Sequence, residues 1–296
     1  MSATQSMRLY SRGDKVFVYI NMFLIGMFTL STLYPFIYIA AMSFSSGFAA
    51  AAGKVVLTPI DLTFASYEYV VNEPAFWRSY LNTFIYTIGG TLMSLAFIIP
   101  GAYALSRPNL FGRRFWNLMV AFTMWFNAGL IPFYLNMVEL GLDNSYFGII
   151  IGFAVNGFNV ILLRNFFENV PSSFTEAARM DGANEFQILW KVFMPLARPA
   201  IATVALFCVV SRWNGFFWAM LLLEDEEKIP LQVFLRQTIA FLADDEEFSA
   251  TLIDQPYSVE TVTAAIIVCS IIPVLLFYPW IQRYFNKGIM LGGVKE

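Results

Sequence analysis

Histidine is absent from this 296-residue sequence, cysteine occurs only twice, and charged residues make up 13% of the chain. Without histidine the chain lacks the commonest general base and metal ligand, so we predict no catalytic and no metal-binding residue. No nucleotide-binding GxxxxGK[ST] loop occurs either, so any ATP-driven work requires a partner that binds the nucleotide. Cys208 and Cys269 fall in long apolar stretches, where we expect packing residues rather than a disulfide or a metal pair.

The scarcity of charge is matched by long hydrophobic runs. Hydrophobic residues make up 58% of the chain, and the mean hydropathy is +0.62. Because about 20 apolar residues in a helix cross a bilayer, we predict an all-α, polytopic membrane protein with one transmembrane domain over residues 1–296. The first run is too long for a cleavable signal peptide, so we expect a signal anchor. The six expected spans lie at about 16–42, 80–106, 114–138, 146–167, 198–223 and 262–284.

Basic residues are distributed unequally between the two sides that six spans define. With both termini inside, the inner segments hold thirteen Lys and Arg residues and the outer loops hold four, while Arg212 lies within a span. Cytoplasmic segments of membrane proteins are enriched in Lys and Arg. We therefore predict a multi-pass protein of a bacterial inner membrane with both termini, and residues 171–199, on the cytoplasmic side.

Residues 171–199 form a polar segment between two apolar runs. Ser173 followed by Glu176 has the spacing of a capping box, which predicts that a helix starts there. Gly182 can take the left-handed conformation that ends a helix. Asn184 can cap a second short helix that runs to about residue 192, and Pro195 and Pro199 close the segment before the next span.

Residues 171–199 resemble the EAA loop of ABC-importer permeases, the helical loop that docks in a cleft of a cytoplasmic ATPase, and we call them the coupling segment. The resemblance implies that Glu176 pairs with an arginine of the ATPase, that Gly182 supplies the turn, and that the alanines keep the helix slim. An ordinary amphipathic connector between two spans is the alternative. The matching residues are Glu176, Ala177, Ala178, Asp181, Gly182, Ala183, Pro195 and Pro199.

Further stretches resemble the maltose-type, or carbohydrate uptake, permeases, and within them the branch for polysaccharides and oligosaccharides. They are PGAYALSR at 100–107, GLIPFYL at 129–135, the Trp213-Asn214 pair and the tail from residue 282 to residue 296. The resemblance implies a heterodimer with a second permease, two ATPase subunits that bind ATP and Mg, and an extracytoplasmic solute-binding protein. This chain would bind no cofactor and no nucleic acid. The tail, with Gly292 and Gly293, would enter the ATPase dimer interface.

The predicted outer loop at 224–261 carries most of the acidic charge, in the runs LEDEEK and ADDEEF. Such runs are usually only a solvated face. Between them, residues 229–242 are apolar enough for an ordered helix. The resemblance to maltose-type permeases makes this loop a candidate for contact with the binding protein, and the first outer loop at 43–78 a weaker one.

Polar residues inside the predicted spans are the candidates for a solute path. Polar groups in a membrane are costly and tend to face a cavity or a partner helix. The two readings of the amides are a path for a hydroxyl-rich solute and hydrogen bonds between helices. Arg212 could meet an anionic solute, a backbone carbonyl or a carboxylate of a partner. The candidates are Arg212, Trp213, Asn214, Asn127, Asn156, Asn159 and Tyr134, with Trp213 and Tyr134 as sugar-stacking faces.

The function that these features favour is import of an oligosaccharide, acidic and alginate-like ones included, by the permease subunit of an ABC importer. A permease for a non-sugar solute is the nearest alternative. An ion-coupled secondary transporter is less favoured because such proteins have intramembrane carboxylates and internal repeats, whereas the predicted spans hold no Asp or Glu. An intramembrane hydrolase is disfavoured because the chain has no His and the predicted spans hold no Asp.

Overall fold

A computed structural model describes residues 12–244 and 255–293, and within those ranges the secondary structure is helical without strands. The predicted all-α class is therefore confirmed. The helices are α1 (Arg12–Ser43), α2 (Gly47–Ala51), α3 (Ala65–Asn72), α4 (Pro74–Ser106), α5 (Arg113–Trp125), α6 (Leu130–Glu139), α7 (Tyr146–Ile151), α8 (Gly157–Glu168), α9 (Ser172–Met180), α10 (Glu185–Ile188), α11 (Met194–Leu196), α12 (Arg198–Trp213), α13 (Phe217–Leu222), α14 (Leu231–Asp244) and α15 (Val259–Gly293), with a π-helical turn at Leu189–Phe193 and a 3₁₀ turn at Glu226–Lys228.

Three helical stretches of the described chain are long and apolar enough to cross a membrane without interruption. They are Gly13–Ser43 of α1, Pro74–Ser106, which is α4, and Val259–Leu276 of α15. Helix α4 starts well because Pro74 occupies its first turn and the Glu73 side chain accepts a hydrogen bond from the Ala75 amide at 3.4 Å. Counting each sharply bent helix pair as one span gives up to five, by length and composition.

The other three predicted spans are not continuous helices. Stretch 114–138 is divided between α5 and α6, which meet at a bend of 114°. Stretch 146–167 is divided between α7 and α8, and stretch 198–223 between α12 and α13. Helix α12 also bends by 85° from the segment Glu185–Leu196 before it. Their continuous hydrophobicity led us to predict three uninterrupted helices, whereas each stretch is divided between two helices.

Asparagines explain the breaks. The Asn127 side chain accepts a hydrogen bond from the Gly129 amide at 2.9 Å, and Asn156 caps α8 by accepting from the Asn159 amide at 3.3 Å. The side-chain amide of Asn214 donates a hydrogen bond to the Val210 carbonyl at 2.9 Å, where α12 ends. A side chain that bonds nearby backbone offers the chain an alternative to the helical ladder. Each break therefore has a local polar cause.

The chain divides into two compact units, and the smaller consists of the described parts of Met1–Asn72 and Thr238–Cys269. Its core includes Met42, Val55 and Ala264, and Ser66 donates a buried hydrogen bond to the Thr261 hydroxyl at 2.8 Å. Gly47 is required where it lies, because a Cβ there would come within 2.5 Å of the Tyr257 carbonyl carbon.

The larger unit consists of the described parts of Glu73–Gln237 and Ser270–Glu296, and α4 is its central helix, packed against α7, α8 and α12. The main core lies near the Ser106 end of α4, where Leu163, Phe167 and Phe193 are fully buried. Truncating such a phenylalanine to alanine typically costs about 3–5 kcal/mol. Both candidate sites described next belong to this unit.

Candidate coupling segment and solute cavity

The first helix of the coupling segment, α9, starts at Ser172 behind Pro171, and no side chain caps it. The predicted capping box at Ser173 and Glu176 is therefore wrong. Proline before the first turn fixes the backbone entry instead, since its ring restricts φ. Thr175 is buried and Ala178 is half-buried, whereas the other residues of α9 are exposed on the surface of the unit.

The turn and the start of the second helix follow the prediction. Gly182 has φ +76°, and a Cβ there would meet nothing within 4 Å, so the backbone conformation rather than crowding favours glycine. The capping box lies at Asn184: its side chain accepts from the Gln187 amide at 2.8 Å, and the Gln187 side chain accepts from the Asn184 amide at 3.0 Å. The helical path continues through the π-helical turn and α11 to Leu196, so the second helix ends about four residues later than the predicted end near residue 192.

The residues matched to the EAA loop have two different environments. Glu176, Ala177, Asp181 and Gly182 are exposed, as is Pro195 in α11. Ala178 and Ala183 are half-buried and pack against the main core. The first group offers a surface beyond the unit, whereas the second attaches the segment to it.

The end of the α9 surface also carries an apolar side chain, since Met180 is 88% exposed. The remaining predicted docking residues lie elsewhere. Gly292 and Gly293 end α15, and residues 294–296 lie outside the described residues.

A polar cluster that sequence reasoning missed attaches the coupling segment to α4. The Glu185 carboxylate accepts from the Tyr103 hydroxyl and from the Arg179 guanidinium, both at 2.6 Å. The Arg107 guanidinium lies over the rings of Tyr103, at 4.7 Å, and Phe193, at 4.3 Å. Arg107 also donates to the Thr175 hydroxyl at 3.4 Å. We call this cluster, consisting of Tyr103, Arg107, Thr175, Arg179 and Glu185, the Glu185 clamp.

The clamp changes the acidity of its carboxyl group. The hydrogen bonds from Tyr103 and then from Arg179 lower the pKa of Glu185 below its ordinary value, because both donors stabilise the carboxylate. Tyr103 and Arg107 belong to the PGAYALSR stretch that resembles sugar permeases. The resemblance did not indicate which residues these two side chains bind. Glu185 carried no signal at all, since its partner Tyr103 is 82 positions away.

A cavity of about 880 Å³ lies in the larger unit, beside the breaks between α5 and α6, α7 and α8, and α12 and α13. Its wall includes amide side chains and aromatic rings, which suits a solute with both hydroxyl groups and apolar ring faces. The predicted path residues on the wall are Arg212, Asn214, Asn127, Asn156 and Asn159.

Arg212 has backbone partners at the end of a broken helix. Its guanidinium donates to the carbonyl oxygens of Ile149, at 2.5 Å, and Ile150, at 3.1 Å. These carbonyls lie at the C-terminal end of α7, where a cation is favoured by the helix dipole. A Cβ on Gly90 would lie 2.8 Å from the Arg212 Nε, so this glycine leaves the room that the guanidinium occupies. The sequence left an anionic solute, a backbone carbonyl and a partner's carboxylate as possible contacts of Arg212, and in the structure Arg212 binds backbone carbonyls.

Trp213 and Tyr134, the predicted stacking faces, do not line the cavity. Trp213 is buried with its ring edge-on to Phe84, at 5.4 Å between centroids. Tyr134 packs against the cluster that contains Met137 and Tyr86. The aromatic side chains on the wall are Phe133, Phe153 and Trp218, among others, with 4.5 Å between the centroids of Phe133 and Trp218.

A second polar cluster lies near the Pro74 end of α4 and holds residues 227–231. The Asn82 side chain donates to the Glu227 carbonyl at 2.8 Å and to the Ile229 carbonyl at 3.0 Å. The Thr83 hydroxyl accepts from the Leu231 amide at 2.8 Å, and the Tyr86 hydroxyl donates to the Lys228 carbonyl at 2.8 Å. We call this cluster, in which Asn82, Thr83 and Tyr86 bind the backbone of residues 227–231, the Asn82 latch.

Beyond the latch, α14 runs from Leu231 to Asp244, so the helix predicted over residues 229–242 is confirmed to within two residues. Asp225 caps the 3₁₀ turn in front of it by accepting from the Glu227 amide at 3.0 Å. That bond, together with Lys228, lowers the pKa of Asp225. Most of the acidic run ADDEEF, residues 243–248, lies outside the described residues.

Known proteins resemble this chain over nearly its whole length. YtcP, the polygalacturonan/rhamnogalacturonan transport system permease protein of Bacillus subtilis (strain 168), is 40% identical over 270 residues, which are 91% of this chain and 94% of that protein. Protein LplC of the same organism is 36% identical over 286 residues, which are 96% of this chain and 97% of that protein.

Solved structures give the same picture. One chain of the crystal structure of a bacterial ABC transporter involved in the import of the acidic polysaccharide alginate is 58% identical, with a TM-score of 0.90, over 94% of this chain and 99% of its own. A chain of a bacterial alginate ABC transporter in complex with an alginate pentasaccharide-bound periplasmic protein is 16% identical, with a TM-score of 0.61 over 92% of this chain and 94% of its own, and shares the fold.

The family model covers most of the larger unit and extends into the last helix. Residues 74–291 match the model described as the binding-protein-dependent transport system inner membrane component. This family membership argues against the ion-coupled secondary transporter and the intramembrane hydrolase. The chain thus belongs to the binding-protein-dependent transport system inner membrane component family and is a multi-pass transport permease subunit of the inner membrane.

Proposed function

We propose that this permease passes an acidic oligosaccharide of the alginate class to the cytoplasm as one half of an ATP-driven heterodimer. The observation that carries the substrate class is the 58% identity to a chain of an alginate importer over 94% of this chain. The cavity is compatible with the proposal, because asparagine amides can bind sugar hydroxyls while rings such as Trp218 can stack on sugar faces. A second permease of the same family completes the path.

In this proposal the coupling segment faces the cytoplasm, together with both termini, and docks on one of two ATPase subunits that bind ATP and Mg. The exposed side chains of Glu176, Met180 and Asp181 support this role, since they leave an acidic and apolar surface uncovered. The carboxylate of Glu176 would form a charge-assisted hydrogen bond with an arginine of the ATPase. ATP binding then moves the docked segments, and hydrolysis resets them.

On the opposite face, residues 224–261 would contact a periplasmic solute-binding protein. The Asn82 latch supports this assignment because it fixes the base of that loop to α4. The solute-binding protein delivers the oligosaccharide, so much of the specificity belongs to it and to the second permease.

The proposal is tested by transport in proteoliposomes that contain the complete complex and the loaded binding protein. Uptake of a labelled alginate trisaccharide should require ATP on the ATPase side and persist when ionophores remove the ion gradients. Uptake of a neutral oligosaccharide of equal size should be slower. Uptake that needs an ion gradient instead of ATP would contradict the proposal, and equal uptake of both sugars would remove its acidic specificity.

Docking is tested separately with Glu176→Lys, which reverses the exposed charge of α9. Loss of a desolvated charge contact commonly costs 2–5 kcal/mol, so uptake should fall at least about 30-fold while the subunit still inserts. Glu139→Lys, which changes an exposed carboxylate at the end of α6, is the matched control and should retain uptake. Normal transport by an assembled Glu176→Lys complex would show that the ATPase does not use this residue.

A further inference from the structure

We propose that Thr83 and Tyr103 of α4 are positioning residues that join the base of the 224–261 loop to the coupling segment as one moving body. The inference rests on the proposed function, because it assigns the two ends of α4 to the two partners named there. Its evidence is that the same continuous helix carries both polar clusters, the Asn82 latch near its start and the Glu185 clamp near its end.

The latch binds the loop base through backbone atoms, so it fixes the position of the chain itself. Three side chains from two adjacent turns of α4 bond carbonyls or amides of Glu227, Lys228, Ile229 and Leu231. Thr83 is 1% exposed, and its hydroxyl is the acceptor of the Leu231 amide at the first residue of α14. A displacement of α14 along this direction must therefore move α4 or leave a buried amide without an acceptor, which is costly.

The clamp has a corresponding effect at the other end. Gly182 alone would allow α9 and α10 to turn against each other, because a Cβ built there would meet nothing within 4 Å and glycine restricts the backbone least. The Glu185 carboxylate bridges this hinge by binding Arg179 on one side, while Tyr103 of α4 binds the same carboxylate. The clamp thus makes the two helices of the coupling segment follow α4.

Between the two clusters α4 remains a single helix, although Pro100 lies inside it, and its second half is packed in the main core. Thr83 and Tyr103 are 20 residues apart in one helix, which corresponds to about 30 Å. Ile98 and Ala102, both 0% exposed, hold the second half of α4 in the main core. A tightly packed helix transmits displacement because cores have little free volume.

A serial link makes a specific prediction about combined variants. Thr83→Val and Tyr103→Phe each delete one buried hydroxyl and retain the shape of the side chain. Substitutions this far apart with no shared partner normally have independent, multiplying effects. If α4 links the loop base to the coupling segment, loss of the hydrogen bond at either end interrupts the same transmission of movement. Loss of both hydrogen bonds should then have little more effect than loss of one.

The experiment measures how strongly the loaded binding protein stimulates ATP hydrolysis by the purified complex in nanodiscs. Each single variant should reduce the stimulation about two- to tenfold, the range expected for one lost hydrogen bond, and leave basal hydrolysis unchanged. The stimulation of the double variant should equal that of the more impaired single variant. Thr29→Val and Tyr19→Phe, alone and together, delete the same groups from exposed positions of α1 and should not change the stimulation.

Three outcomes would overturn the inference. They are unchanged stimulation in both single variants, a double variant whose loss is the product of the two single losses, and a fall in thermal stability with normal stimulation per assembled complex. The last result would make the hydroxyls merely structural. A wild-type complex that lacks stimulation and ATP-dependent uptake would instead contradict the proposed function, so the two failures are distinguishable.

Discussion

The coupling segment and the cavity wall are built by different kinds of contact. In the coupling segment the turn at Gly182 and the capping box of Asn184 and Gln187 are formed by residues a few positions apart. On the cavity wall, Arg212 reaches carbonyls 63 and 62 positions away, and Asn159 donates to the Cys208 sulfur 49 positions away. A locally specified surface can be presented to a partner as a unit, whereas a wall built from distant breaks depends on the packing of the whole unit.

The largest contrast is expected from two glycines. A Cβ on Gly148 in α7 would lie 1.7 Å from the Leu142 carbonyl oxygen, whereas Gly182 has open space and only a positive φ. Gly148→Ala should therefore reduce the yield of folded protein at least tenfold. Gly182→Ala should cost about 1–2 kcal/mol locally and leave the yield within about twofold. Fluorescence-detected size-exclusion chromatography measures both, and equal losses would mean that the two regions are not built differently.

Arg212→Gln examines the wall itself and should have an intermediate effect. Glutamine can replace only part of the hydrogen bonding to Ile149 and Ile150, so we expect a loss of about 1–3 kcal/mol, seen as a lower melting temperature of the complex. Transport of acidic and neutral oligosaccharides per folded complex should change equally. Ser211→Ala, a neighbouring wall residue, is the control. Unchanged stability with a loss confined to acidic sugars would mean that the guanidinium acts on the solute.

The smallest effect concerns the pH dependence of the Glu185 clamp. The folded-state pKa of Glu185 is lowered, so its stabilising contribution is complete above the unfolded pKa of about 4.3 and is lost as pH falls through the folded value. The melting temperature of the wild type should exceed that of Glu185→Gln by about 1–3 °C near neutral pH, because the pair with Arg179 is half-exposed. This difference should shrink below about pH 4. A difference that stays constant down to pH 3 would exclude titration of this carboxyl.

The sequence allowed much of the coupling segment to be predicted because its determinants are local. Gly182 and the cap at Asn184 follow from backbone preferences of single residues. The error at Ser173 has the same origin: Ser-x-x-Glu matched the capping pattern, but Pro171 set the start of α9 one residue earlier. The amides on the cavity wall were also identified, since intramembrane polar groups are few.

What the sequence could not provide is which way a side chain faces when its neighbours are distant. Trp213 and Trp218 are equally suitable for stacking in the sequence, yet Trp213 packs beside Tyr80 and Phe84 and Trp218 lines the cavity. Hydropathy likewise does not distinguish a continuous span from a broken one, since both are apolar along their length.

By itself the sequence determined an all-α membrane protein, the place of the coupling segment and its turn, because composition, hydrophobic length and capping act within one stretch of chain. The tertiary structure alone decided that Tyr103 meets Glu185 and that Arg212 closes the end of α7. It also decided that three of the predicted spans break beside one cavity. These features depend on hydrogen bonds and packing between helices remote in sequence, whose energies exist only once the helices have come together.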